Sequence, residues 1–174
     1  MAFVVWQPGM TTTAQRANNA AMTGAVVFFA SRTTNQTITA TEGVANALQW
    51  DTVTLDTLGG WNSATPTRWT APITGWWTVA GGVGFNADGT GSSRDAMWFV
   101  NGVAVTGGRA RTYAESGISA SLPLTVEART FPRLLTAGDY VQLVPAHNAT
   151  TAGGIPTATG TLTPYMSVTY SGPA

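Results

Sequence analysis

The sequence has no cysteine, no lysine and one histidine, and only 9% of its 174 residues are charged. Each shortage excludes something. Without cysteine there is no disulfide, thiolate zinc site, iron–sulfur cluster or cysteine nucleophile, and the usual clue to redox compartment is missing. Eight arginines balance eight carboxylates, so the formal net charge is zero. That argues against a nucleic-acid partner held by phosphate attraction and against a polybasic membrane patch. No apolar run reaches the roughly 18 residues of a membrane span. The segment 1–8 lacks a basic region and a long apolar core, so it does not read as a secretory signal.

Hydrophobic residues make up 44% of the chain and include seven tryptophans, enough for the core of one domain. A soluble monomer normally spreads charge over its surface. This chain has little charge to spread. Its surface is expected to be clothed in Thr, Ser and Asn or buried against other chains, and the second option favours an oligomer or a member of a larger assembly.

Residues 1–23 differ from the rest. Trp6-Gln7-Pro8-Gly9 reads as a turn. Thr11 to Thr13 can cap a short helix running to Met22, and Gly24 can stop it. Its many alanines leave it marginal alone, so it needs a partner surface. From Gly24 onward the pattern is strand and turn: 25–30, 48–55, 76–85, 97–100, 103–105, 122–130, 140–144 and 164–170. In 76–85, Trp77, Val79, Val83 and Phe85 share one face while Trp76, Thr78 and Ala80 share the other. Gly81, Gly82 and Gly84 signal close packing or a bulge there. Asn101-Gly102 is the strongest hairpin signal. Residues 149–160 read as a Thr/Ala/Gly loop without a strand. Short strands with almost no helix predict an all-β sandwich or barrel. The expected division is an arm, residues 1–23, and a head, residues 24–174.

The chemical candidates are few. His147 would have to serve any Ser/His/Asp triad, and no G-x-S-x-G elbow is present; a loop or interface histidine is expected. The carboxylates Glu42, Asp51, Asp56, Asp88, Asp95, Glu115, Glu127 and Asp139 lie in no recognisable catalytic context. Turn hydrogen bonds and arginine pairs are their expected roles. Asn86 to Gly91 has a faint calcium-loop flavour without the repeated acids of an EF-hand. Arg109 and Arg111 flank Ala110, and Arg129 and Arg133 bracket Phe131-Pro132. Pairing with acids across strands or subunits is expected, with contact to an anionic glycan or a neighbouring protein as the alternative. Adjacent Trp76 and Trp77 must face opposite sides of their strand. One enters the core, and the other predicts a subunit interface, with sugar stacking as a secondary option.

An ordered set of motifs adds to this reading. Val26 to Arg32, Trp50-Asp51 through Trp61, Arg68-Trp69-Thr70-Ala71-Pro72 through Val79, Met97 to Gly102, Leu135 to Val141 and Pro164 to Tyr170 follow one another as the strands of a C1q/TNF-like jelly roll do. The stretch 24–172 resembles that family. The resemblance implies a homotrimer packed around a threefold axis. The arm, with Trp6-Gln7-Pro8-Gly9-Met10 and then Gln15-Arg16-Ala17-Asn18, is similar to short leaders on virion proteins of bacteriophages infecting actinobacteria. The absence of lysine fits a GC-rich genome of that kind.

The sequence is therefore read as an all-β, C1q/TNF-like jelly-roll β-sandwich with a short N-terminal helical arm. The expected protein is a non-enzymatic virion structural protein without cofactor or metal, a capsid decoration or head fibre made in the host cytoplasm and carried on the virion surface. Its expected partners are itself and other virion proteins such as the major capsid protein, with no nucleic acid and no membrane. Trp6, Pro8, Arg16 and Met22 are the expected docking residues of the arm. Trp76, Trp77, Phe85, Trp98, Tyr165 and Tyr170 are expected in the core or the trimer interface. The alternative is a minor tail protein at the tail tip that binds a host cell-surface glycan; a polysaccharide depolymerase ranks below both.

Overall fold

The computed structural model describes residues 13–114 and 120–174. A nine-residue helix, α1 (Ala14–Met22), precedes eleven strands: β1 (Val26–Ser31), β2 (Thr37–Ile38), β3 (Thr52–Asp56), β4 (Trp69–Thr70), β5 (Gly75–Phe85), β6 (Ser93–Val100), β7 (Val103–Tyr113), β8 (Leu124–Leu135), β9 (Tyr140–His147), β10 (Ile155–Pro156) and β11 (Tyr165–Gly172). They form a five-stranded sheet ordered β3-β1-β11-β5-β8 and a four-stranded sheet ordered β4-β9-β6-β7, with β2 and β10 paired separately. All pairings are antiparallel. The crossed strand order is that of a jelly-roll sandwich, as the sequence predicts.

The core lies between the sheets. β5 and β11 send alternate residues inward: Trp77, Val79 and Val83 from one, Met166, Val168 and Tyr170 from the other. Trp69, Trp77 and Tyr170 stack edge to face, with ring centroids 5.0 and 4.8 Å apart, the geometry that ring quadrupoles favour. Trp98 fills the far side, and its indole N–H donates to the Arg129 carbonyl across the gap between β6 and β8. The three strand glycines are there for close packing. A Cβ on Gly84 would collide with the Leu162 carbonyl, and one on Gly81 would meet the Tyr165 carbonyl at 2.7 Å. Asn101 and Gly102 both take positive φ, 51° and 77°, which closes the β6–β7 hairpin with a two-residue turn.

Several elements depart from the sequence reading. The stretch 48–55 is a strand only over its last residues; ahead of it Leu48 and Trp50 are buried and held by single backbone bonds, Leu48 donating to the Leu143 carbonyl of β9 and Trp50 to the Pro66 carbonyl. β6 and β7 reach well beyond their apolar ends, carrying Arg94, Asp95, Arg109 and Arg111 inside the ladder. β8 continues through Pro132, which is tolerated because β8 is a sheet edge. β9 continues through Pro145, where the short β4 leaves one side unpaired. The loop 149–160 holds the strand β10, whose Ile155 is wholly buried against β2. His147 sits at the end of β9 rather than in a loop.

Candidate assembly surface

The carboxylates go mostly to structure. Asp95 is 2% exposed and lies under Arg111, which donates from Nε and Nη2 at 2.6 and 2.9 Å, and under Arg109, which donates from Nη2. Burial pushes this carboxyl up, but the two guanidinium groups outweigh it and hold it below the usual range. Arg109 also reaches Glu42 at 3.0 Å. Asp51 accepts from the backbone and hydroxyl groups of Thr33 and Thr34 at 2.6–2.9 Å. Desolvation is again overcome, and Asp51 titrates far below an ordinary carboxyl. Asp56 takes the backbone N–H groups of Gly60 and Trp61, and Asp139 takes the side chain of Asn101 and the N–H of Thr136.

The loop with calcium-like spacing is tied to protein groups. Asp88 accepts from Thr90 and Thr151 and pairs at 3.7 Å with Arg94, which is buried and also donates to the carbonyls of Ser93, Asp88 and Thr90. His147 accepts the Ala149 N–H on Nδ1, so its Nε2–H donates to the Ile38 carbonyl. Both ring nitrogens are thereby occupied. Among the described residues no group of three metal-ligating side chains forms.

The outer face of the five-stranded sheet is different. The register aligns its outward residues in rows. Leu55, Phe29, Ser167 and Ala80 lie in or beside one row. Ser31, Tyr165, Gly82 and Glu127 make a second. Val26, Thr169, Thr78 and Pro132 make a third, and Trp76 with Leu134 a fourth. Glu127 is the one charge in these rows. Phe29 is 37% exposed and stacks on Tyr165 with centroids 6.1 Å apart; Leu134 is 46% exposed. The hydroxyls satisfy one another, as Thr78 and Ser171 do at 2.7 Å. A face of aromatic, aliphatic and hydroxyl groups, nearly free of charge, has the composition of an interface core.

Glu127 is held within this face. Its carboxylate accepts the Tyr165 O–H at 2.8 Å and lies over Gly82, where a Cβ would strike it. Burial and then the Glu127 carboxylate push the Tyr165 phenol up to about 12, so it stays protonated and donating.

The expected site residues separate by place. Trp77, Phe85, Trp98 and Tyr170 are core. Trp76 and Tyr165 are half-buried on the outer face. Trp6, Pro8 and the side chain of Arg16 lie outside the described residues. Met22 packs against the head's own core. Apart from that contact, α1 touches the end of β11, and Gly24 donates to the Tyr170 carbonyl at 2.7 Å. The sequence reading did not single out Phe29, Leu134 or Glu127 for the face. Only Glu127 lies in an alternating stretch, the first part of β8; Phe29 sits in an unbroken apolar run in β1, and Leu134 lies beyond the slip in the β5–β8 register, so their side of the sheet follows from the pairing and not from the sequence pattern.

No family model and no curated protein sequence matches the chain. Solved structures do. The globular domain of zebrafish complement 1qA protein superposes with a TM-score of 0.55 at 11% identity, covering 82% of this chain and 94% of that one. The structure of Eiger TNF from S. frugiperda superposes with a TM-score of 0.55 at 12% identity, covering 86% and 93%. The chain thus has the jelly-roll fold of C1q and TNF globular domains.

Proposed function

We propose that this chain is a non-enzymatic structural protein of a bacteriophage particle, built as a homotrimeric head with three N-terminal arms. The heads associate through the outer face of the five-stranded sheet. Residues 1–23 attach the trimer to a capsid protein as a decoration or head fibre. Three arms engaging together turn a weak single contact into firm attachment.

The observation that carries the self-association is the nearly uncharged outer face with Phe29, Trp76 and Leu134 on it. In a monomer such a patch would be left in water. The arm's role is supported by its leader-like sequence, and by a helix whose described side chains are exposed apart from Met22. A tail-tip role draws on one feature. Tyr113 is 83% exposed at the end of β7, opposite the end that carries α1, where a host glycan could stack on it.

Gold labelling of a tagged copy on intact particles tests the assignment. Label over the head is expected. Label at the tail tip would move the assignment to host recognition, and particles without label would overturn the virion role.

A further inference from the structure

With so few charges, each arginine can be followed to its partner. Arg32 meets Asp51 and Arg94 meets Asp88. Arg109 and Arg111 share Asp95, and Arg109 also reaches Glu42. Arg68 lies over the Tyr140 ring, 4.5 Å from its centroid, and Arg133 acts on Asp139. Among the described side chains this leaves one cation, Arg129, with neither carboxylate nor ring.

Arg129 falls where the β5–β8 register slips, between Ala128 and Phe131. It lines an open groove of about 470 Å³ with Arg109, Ala110 and Arg111 of β7. Asp95 and Glu42 answer the two β7 arginines, so the groove keeps the single charge of Arg129. Asp95 is buried beneath those arginines and does not face an incoming anion. Ala110 is the one apolar residue of the lining, so the groove lacks the aromatic or aliphatic anchor pocket of a protein interface.

Tyr113 continues the row. Arg109, Arg111 and Tyr113 alternate along β7 and face one side of it, spanning about 13 Å. Asp95, bonded to Arg111, holds that guanidinium above its ordinary value, and the Tyr113 phenol is near enough to add to the effect. The Tyr113 ring itself is open to water.

We propose that the groove between β7 and β8 binds an anionic saccharide, a sugar chain with one carboxylate per unit, Arg129 taking a carboxylate and Tyr113 the face of a sugar ring. A planar guanidinium takes a carboxylate through two parallel hydrogen bonds. A tyrosine ring offers rigid amphipathic contact area at low entropic cost. The one leftover charge matches one monovalent group, whereas a phosphate dianion would exceed it. An acidic peptide carries the same carboxylate but would find no pocket here for its apolar side chains. The site deepens the glycan-binding reading of Tyr113 given above and does not depend on the trimer.

The test is isothermal titration of the purified full chain at low salt with trigalacturonate, its uncharged methyl ester, triglutamate and inorganic phosphate. The wild type is expected to bind trigalacturonate about tenfold or more tightly than each of the others. Arg129→Gln should weaken that binding about tenfold, and Tyr113→Ala about threefold or more. Added salt should weaken it more in the wild type than in Arg129→Gln. Both positions are exposed, and thermal melts check that each variant folds. A wild type that binds trigalacturonate no better than its ester, or an Arg129→Gln that binds as the wild type does, overturns the site. Equal binding of triglutamate or phosphate, or a Tyr113→Ala that binds as the wild type does, overturns its assignment to a saccharide. The gold label reads the place on the particle separately, so the site and the tail-tip location can each fail alone.

Discussion

Asp95 is buried beneath two guanidinium groups that are themselves 36% and 49% exposed. Removing its charge breaks both pairs at their buried end, while water takes up the freed arginines. Asp95→Asn is expected to destabilise the fold by about 2 kcal/mol, below the 3–5 typical of a fully buried pair, as measured by urea melts. Asp51 and Asp95 both titrate below the unfolded carboxylate value of about 4. Their contribution is present above that value and is lost as pH falls through the folded one. Stability should therefore fall on acidification below about pH 4, and Asp51→Asn should make that acid limb shallower. An acid limb unchanged by the substitution would show that Asp51's hydrogen bonds do not carry the linkage. From sequence, turn hydrogen bonds or arginine pairs are expected of all eight carboxylates, and Arg109 and Arg111 are expected to meet acids across strands. That Asp95 is the acid they meet is not legible, because the two arginines lie on a strand that pure apolar patterning cuts short.

At the scale of elements, β5 was legible because its alternation is strict and its glycines are placed for contact. Gly84→Ala would drive a methyl into the Leu162 carbonyl, and overpacking of this kind costs about 1–3 kcal/mol; a melting temperature equal to wild type would refute the contact. The β6–β7 turn was legible for the same reason, since Asn-Gly is what two positive φ angles demand. β7 was not. Gly107, Gly108 and Ala110 have weak strand preference and break the pattern, and the strand is held in the ladder by β6, where Ala110 faces Ala96 and Arg111 faces Asp95. β10 was missed for a related reason: a two-residue strand has no period to read, and it exists because Ile155 meets Ile38.

At the scale of the whole molecule, the sandwich places Asp95, Arg109 and Arg111 on the outer side of the four-stranded sheet and leaves the outer side of the five-stranded sheet almost without charge. The pair Trp76-Trp77 told from sequence alone that one indole must turn outward. It did not tell which strands flank it, so the wider face with Phe29, Tyr165 and Leu134 had to wait for the topology. Trp76→Ala should raise the concentration of half-dissociation about tenfold or more, as truncation of a buried aromatic anchor does, with little change in the melting of the separated head. An assembly as tight as wild type would remove Trp76 from the interface.

The most direct measurement is the solution mass of the full chain by sedimentation equilibrium at micromolar concentration. The account predicts a species three times the 18.1 kDa of the single chain, dissociating on dilution to one species. A stable 18.1 kDa monomer across that range would contradict it, because the uncharged face would then be open to water without a second copy to cover it.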